Sequence, residues 1–457
     1  MANRLRRVPV ATVWLWGIEV GAVAWNEERT IGSFEYTNEF ISHGLEVAPL
    51  MIPLRTGVFT FPGLRRETFY GLPGLLADSL PDRFGNRLID LWLQQRGRSI
   101  DDFSPVERLC YMGTRGMGAL EFKPALTRQP DKAAPIEIAE LTELAREILA
   151  NRAGLVVHLR GAKAEALKAI IRVGTSAGGA RAKAVIAWNR KTNEVRSGQV
   201  SVPSGFEPWI LKFDGANEQT LREPQGFGRI EYAYHKMAVA AGIEMNECHL
   251  FEENGRAHFM TRRFDRDLNG AKIHTQSLCA LGHYDFNAPR EYGYEQAFSI
   301  IQQLNLGAEA MTEMFRRMVF NVLARNQDDH TRNIAFLMDR EGNWRLSPAF
   351  DVLWSHNPGG KWTNQHQMRI NGKADNFVLS DLLAVAHQFG IRNAKGMIEQ
   401  IGDSVARWRV FAKKAGVPST ETDRIGKTHR LHLVATSKFH VNAGTKMATW
   451  HKSGTRF

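Results

Sequence analysis

Asn326-Gln-Asp-Asp-His-Thr-Arg-Asn333 stands between two apolar stretches, and its reading decides the fold. Before it, Ala308–Arg325 places Met311, Met314, Phe315, Met318 and Val322 on one face of a predicted helix, a stripe that belongs to a core. After it, Ile334–Met338 has the composition of a strand. Asp328 and Asn333 are five residues apart, so one loop can aim both at a single metal–phosphate centre. A carboxylate can accept a hydroxyl proton, and a carboxamide oxygen can ligate magnesium. Standing alone, however, the stretch reads first as an Asx-rich turn that caps its own backbone. A zinc site through His330 is disfavoured, because no second ligand has suitable spacing. The balance changes with Leu346-Ser-Pro-Ala-Phe-Asp-Val-Leu-Trp354. Asp351 lies 23 residues after Asp328, behind a hairpin-like LMDREGNWRLS, and is expected to end an apolar strand. A carboxylate there needs a partner, and a magnesium ion would serve. Loop and later aspartate together have the layout of a phosphoryl-transfer centre, with Asp328 for the hydroxyl and Asn333 and Asp351 for metal.

Such a centre also needs a cation on the phosphates and a backbone cover. Lys212, inside the apolar run Trp209-Ile-Leu-Lys-Phe213, is either a snorkelling edge-strand residue or that cation. Glu231, expected to start the next helix, is either its partner or an exposed first-turn glutamate. The turn Gly174-Thr-Ser-Ala-Gly-Gly-Ala-Arg-Ala-Lys183 could bring backbone N–H groups to phosphate through Gly174, Gly178 and Gly179. It is neither a Walker A nor a GxGxxG sequence. Thr175 and Ser176 read as ordinary turn hydroxyls on their own. Phosphorylating either would add about −2 charge where nucleotide has to bind.

Outward from these motifs, the pattern is that of an α+β chain, a sheet-rich lobe followed by a helical lobe. Val8–Trp16 and Val58–Phe61 read as strands of a β-rich N-terminal module, and Arg83–Gln95 as a helix after the turn Ser79-Leu-Pro-Asp82. Residues 125–135 read as a linker and Ile136–Asn151 as an amphipathic helix. Strands are expected over Ala184–Trp188, Trp209–Phe213, His249–Glu252 and Ala257–Phe264, with a polar hairpin over 189–198 and a helix over Ile230–Ala241. The region after His283 reads as mostly helical, with Ser380 as N-cap of a helix over Asp381–Phe389 and Gly390 as its stop. The resulting division is 1–135, 136–265, 266–440 and a polar basic tail, 441–457. A length of 457 residues suits two or three domains. With 43% apolar and 23% charged residues and no apolar run of helix-spanning length, the expectation is a cytoplasmic protein with no membrane partner. The basic, apolar start reads as a first strand rather than a signal peptide, because Glu19 interrupts it. Cys110, Cys248 and Cys279 lack pair spacing, which argues against disulfides. Net charge is +11, and residues 405–457 alone carry +9, an electrostatic footprint for nucleic acid or an acidic partner, or equally a solvated face.

The ordered set SAGGARAKAVI, WILKF, RIEYAYHKMAVAAGI, TRRFDR, NQDDHTRNIAFL and LSPAFDVLW resembles the HipA family of toxin serine/threonine kinases. GLPGLLADSLPDRFGNRLID and YMGTRGMGALEF resemble that family's N-terminal module. The resemblance spans roughly residues 50–440. It implies a two-lobed protein-kinase-like fold with an additional β-rich N-terminal subdomain. It implies ATP and Mg²⁺, and a serine on a translation protein, often an aminoacyl-tRNA synthetase, as acceptor. It implies a helix-turn-helix antitoxin of the HipB type, and operator DNA bound through the complex. Residue by residue, Asp328 matches the catalytic aspartate, Asn333 and Asp351 the Mg²⁺ ligands, and Lys212 the phosphate-binding lysine. Ser176 matches the self-phosphorylated serine, with Thr175 as its neighbouring alternative. Ala177, Gly178, Lys183 and His330 fall at nucleotide-binding positions. Arg262 and Phe264 fall in the stretch lining the adenine. Two positions depart from the pattern: Arg262 stands where some members have an acid, and Asp329 where the family often has Gly or Ala. The expected function is therefore a toxin kinase able to phosphorylate itself. The alternative is a DNA-associated regulatory subunit whose nucleotide binding is structural.

Overall fold

The computed structural model describes residues 7–94, 96–126, 136–150, 181–198, 204–216, 226–267 and 269–434. Thr175, Ser176, Ala177 and Gly178, the expected linker from residue 127 on and the tail 441–457 lie outside the described residues. The chain forms two compact units. One is drawn from the chain up to Tyr232 with Met245–Ala288 and His330–Asp351; the other from Ala233–Glu244, Pro289–Asp329 and the chain from Val352 on.

Among the described residues the first unit contains three antiparallel sheets. Strands β1 (Val10–Leu15), β2 (Ile18–Asn26), β3 (Ile31–Tyr36), β4 (Val58–Phe59) and β5 (Leu120–Lys123) pair in the order β4-β3-β2-β1-β5. Strict alternation puts Ala11, Val13 and Leu15 of β1 into the core. The β1–β2 connection is Trp16-Gly17 with φ 52° and 88°, the paired left-handed conformation that matches strand twist in a tight hairpin. Gly21 has no substitute here, because a Cβ would lie 2.1 Å from the Glu35 carbonyl oxygen of β3.

The second sheet comprises β6 (Lys183–Asn189), β7 (Glu194–Ser197), β8 (Glu207–Lys212), β9 (Cys248–Glu253) and β10 (Arg256–Arg262), in the order β7-β6-β8-β10-β9. Part of the polar hairpin expected over 189–198 is thus the edge strand β7. Strand β8 is central. That explains its continuous apolar run, and it removes the edge-strand reading of Lys212. Leu141, Leu144 and Ile148 of the helix Ile138–Ala150 join Trp209, Leu211 and Ala184 in one core. A third sheet pairs β11 (His274–Ser277), β12 (Ala335–Met338) and β13 (Trp344–Leu346). Strand β13 stops at Leu346, so Asp351 does not end a strand. Ser347, whose N–H still donates to the Ala335 carbonyl of β12 at 2.9 Å, Pro348, Ala349 and Phe350 separate it from the strand.

The second unit is helical: Tyr294–Gln303, Gly307–Leu323, Leu379–Gln388, Ala394–Ala406, Trp408–Lys414 and Ser419–Gly426. The stripe Met311, Met314, Phe315, Met318 and Val322 is buried as expected. Ser380 is not an N-cap. The helix begins two residues earlier because the Asp381 carboxylate reaches back to the Val378 N–H at 2.9 Å. Gly390, at φ 66°, does lie just past the helix end. Among the described residues no helix is long and apolar enough to cross a membrane. The mixed helix-and-sheet class expected from the sequence is the one found.

Candidate active site

Lys183 opens β6 and Lys212 closes β8, and the two face each other directly across the ladder. Both are buried. Like charges opposite one another destabilise a sheet, so the pair requires anions. Asp351 supplies one: its carboxylate is bonded to the Lys212 ammonium and stands 4.0 Å from the Lys183 Nζ. Glu231 supplies the other, at 2.5 Å from the Lys212 Nζ. It lies one turn inside the helix Phe227–Ala240 and is 1% exposed, which excludes the first-turn surface reading. Its second oxygen stands 3.2 Å from Arg181 Nη1. Three cations thus meet these two carboxylates, with Asp82 as a third acid near Lys183.

The titration behaviour follows from this crowding. Burial alone would raise the Asp351 carboxyl, but Lys212 and then Lys183 outweigh it and hold it well below the usual carboxylate range. Burial would lower the Lys212 ammonium, but Asp351 and Glu231 hold it above its ordinary value. Lys183 goes the other way. Burial lowers it, Lys212 adds repulsion, and Asp351 offsets only part of this. Asp351 also sits at φ 55°, a conformation that costs a non-glycine residue about 1–2 kcal/mol. Its neighbours enforce it: Phe350 packs 5.3 Å from the Phe264 ring, and Ala349 bridges to Met245.

The segment expected to line the adenine leaves the same sheet. Arg262 ends β10, its N–H donating to the Glu247 carbonyl at 2.9 Å, with its side chain half-buried. Phe264 is not part of the strand, because Asp265 turns the chain inward. Asp265 is fully buried and accepts from Arg263 at 2.7 and 2.8 Å, from Arg266 at 2.8 Å and from the Gly118 N–H at 2.8 Å. This ties the YMGTRGMGALEF segment to the TRRFDR segment within one unit.

The quoted loop divides between the units. Asp328 belongs to the second, where it is half-buried while Asn326, Gln327 and Asp329 are buried. His330 and Asn333 belong to the first. His330 leads into a single 3₁₀ turn, Thr331–Asn333; its ring lies 5.4 Å from Phe286, and its carbonyl accepts from the Asn333 N–H at 2.9 Å. Thr331 anchors the turn by donating to the Tyr284 carbonyl at 2.7 Å. Of the sequence candidates, Lys183, Lys212, Glu231 and Asp351 are brought together.

Two participants escaped the sequence reading. Arg181 precedes Lys183 by two residues, and that period of two was its available signal. Asp82 is buried, accepts the Gly85 N–H at 2.7 Å, and feels Lys183 and Arg332 electrostatically. In sequence it reads only as the end of the turn Ser79-Leu-Pro-Asp82. Among the described residues no three His, Cys, Asp or Glu side chains form a metal cage. Magnesium needs none where one or two protein oxygens and substrate phosphates share it, and an ionised Asp351 with the Asn333 amide fits that donor set.

Comparison with known proteins gives consistent matches. Residues 175–408 match the family model of the HipA-like C-terminal domain, and residues 11–123 that of the HipA N-terminal domain. "Putative kinase Y4mE" of Sinorhizobium fredii is 25% identical over 376 residues, covering 76% of this chain and 77% of that protein. A "putative kinase" of Haemophilus influenzae is 26% identical over 176 residues, covering 33% of this chain and 51% of its own length. Among solved structures, the Shewanella oneidensis toxin–antitoxin complex of HipA, HipB and operator DNA matches with a TM-score of 0.65 at 16% identity, over 93% of this chain and 96% of that one.

Proposed function

We propose that this chain, which belongs to the HipA family, is an ATP-dependent serine/threonine protein kinase and the growth-inhibiting toxin of a toxin–antitoxin pair. One observation carries the catalytic part: the buried Lys212–Glu231–Asp351 cluster, braced by Lys183 and Arg181. A cluster of this cost is retained where an anionic ligand uses it. In this reading Lys212 grips the nucleotide phosphates and Glu231 holds its ammonium in place. Arg262 and Phe264 border the base, with Lys183 and His330 at further nucleotide contacts. Asp328 accepts the proton of the acceptor hydroxyl. Asn333 and Asp351 would hold magnesium, which when bound neutralises phosphate charge. The low proton affinity of Asp351 keeps it an anion at neutral pH.

The kinase designations of the Sinorhizobium and Haemophilus relatives support this class of activity. The Shewanella complex motivates a HipB-type antitoxin and operator DNA as partners. The family resemblance motivates a translation component, such as an aminoacyl-tRNA synthetase, as acceptor, and Ser176 or Thr175 as the site of self-modification. Incubation with γ-labelled ATP and Mg²⁺ tests the reading. Wild type should label itself or a protein of a cell extract, and Asp328→Ala should lower labelling at least about a hundredfold. A wild-type protein that binds ATP and labels nothing refutes it.

A further inference from the structure

The catalytic-loop reading leaves Asp329 without a role. It directly follows Asp328, yet only Asp329 is buried, at 4% exposure. Its Oδ2 accepts from the Tyr294 hydroxyl at 2.9 Å and from His366 Nδ1 at 2.7 Å, and its Oδ1 accepts from the Gln367 N–H at 2.9 Å. Tyr294 opens the helix Tyr294–Gln303, and its hydroxyl accepts in turn from Asn321 Nδ2 at 2.9 Å. Asn321 then accepts from Asn326 Nδ2 at 2.9 Å, closing a path back to the start of the loop. On the other side, Arg430 Nη1 lies 3.0 Å from His366 Nε2, and Arg430 is itself bonded to Asp375. A guanidinium only donates, so Nε2 is the acceptor and the imidazole proton sits on Nδ1, facing Asp329. Gln327 is tied separately: its N–H donates to the Ser355 carbonyl at 3.0 Å, and its Oε1 meets His356 Nδ1 at 2.5 Å.

The residues on both sides of Asp328 are therefore buried and bonded to different elements, while Asp328 itself is half-exposed. A buried carboxylate with a histidine and an arginine roughly breaks even in stability, so stability alone does not account for it. We propose that Asp329 is a positioning residue. It locks the loop backbone so that Asp328 is presented in one orientation, and His366 and Arg430 extend that lock to the C-terminal segment at residue 430. The inference rests on the kinase reading for the role of Asp328. A misplacement of about 1 Å at a reacting group costs about a hundredfold in rate, which sets the scale expected.

The test uses the full chain as wild type, Asp329→Asn and Arg430→Met, with two readouts. Hydrogen exchange is followed in the peptide spanning residues 326–333, with the β8 peptide as reference. Phosphate transfer from ATP is followed with kcat and ATP KM separated. In both variants, loop exchange should quicken at least about tenfold with β8 unchanged; kcat should fall about 10–100-fold and KM stay within about threefold. Unchanged loop exchange overturns the proposal. So does a wild-type kcat in Asp329→Asn, because a role confined to stability moves neither readout per folded molecule. A wild type that transfers no phosphate while the variants quicken loop exchange refutes the kinase reading and leaves the lock on the loop established. Should Asp329→Asn fail to fold, Tyr294→Phe removes a single donor and should quicken exchange in the same peptide by a smaller factor; no change there overturns the proposal equally.

Discussion

Replacing Asp82 by Asn should stabilise the first unit above pH 6 and lose most of that benefit by pH 4. Asp82 is buried, and burial outweighs the pull of Lys183, the Gly85 N–H and Arg332, so its carboxyl rises from 3.8 to about 6. A carboxyl raised by folding binds its proton more tightly in the native state. The native state therefore carries more protons between the two values, and stability falls as pH rises through that window. The rise from 3.8 to about 6 makes the ionised form cost about 3 kcal/mol at pH 7.5, about half of that at pH 5 and well under about 1 kcal/mol at pH 4. Asparagine keeps an oxygen for the Gly85 N–H and removes the charge. Loss of an anion at the N-terminus of the helix Arg83–Gln94 takes back under about 1 kcal/mol, leaving a net gain of about 2–3 kcal/mol at pH 7.5. Urea unfolding of wild type and variant at the three pH values measures the difference directly. A gain that stays constant with pH, or grows towards acid, refutes the assignment of a raised carboxyl. A loss at pH 7.5 would show that Asp82 is held as an anion by Lys183 after all.

Lys212→Met leaves Glu231 and Asp351 buried without their shared cation, which costs about 3–5 kcal/mol, nearer 3 because Arg181 and Lys183 remain. Adding Glu231→Leu should recover at least about 1 kcal/mol in urea unfolding, and a single variant within about 1 kcal/mol of wild type contradicts the cluster's energetics. The raised Lys212 contributes fully below its unfolded value of about 10.4 and loses its contribution as pH rises beyond its folded value; the depressed Asp351 contributes above about 3.9 and loses its contribution as pH falls. The Lys212→Met penalty should therefore be largest at neutral to mildly alkaline pH and shrink towards acid, where the carboxylates left without that cation take up protons, checked in the same unfolding series. Asp381→Ala should cost about 1–2 kcal/mol, because Asp381 caps Val378 and also holds Lys373 at 2.9 Å, whereas Ser380→Ala should stay within about 0.5 kcal/mol; equal effects would restore Ser380 as the cap.

What the sequence disclosed, and what it hid, follows from the range of the forces involved. Periodicity reports burial along one element, so the Met311–Val322 stripe and the apolar β8 run were legible. Helix starts were less legible where a later side chain moves them, as Asp381 does. The partners of Lys212 were ambiguous because Glu231 is 19 residues away and Asp351 is 139, and no local pattern separates a buried glutamate from one in an exposed first turn. Asp329 was opaque for the same reason. His366 is 37 residues further on and Arg430 bonds to that histidine from the far end of the unit's sequence, so the sequence shows only two adjacent carboxylates.

Adjacent or similar carboxylates in this chain are sorted by their surroundings rather than by their type. Asp82 and Asp351 are both aspartates in the first unit, and both are pushed towards neutrality by burial. For Asp351 two lysines converge, so the charge survives and the side chain remains a competent metal ligand. For Asp82 the lysine it feels is already committed to Asp351, and burial wins. Asp328 and Asp329 divide in a different way. One carboxylate spends its acceptors on Tyr294, His366 and Gln367, and that leaves the other as the loop's half-exposed acid. A site that moves a phosphoryl group needs both kinds of arrangement, a charge held ionised beside cations and a base held in place from behind. In the proposed kinase reading the two pairs would supply one of each, which makes Asp329→Asn and Asp351→Asn separable by their readouts. The first should move kcat at nearly constant ATP KM. The second, by removing a proposed metal ligand, should make the magnesium requirement itself steeper, and a titration of Mg²⁺ against rate distinguishes them.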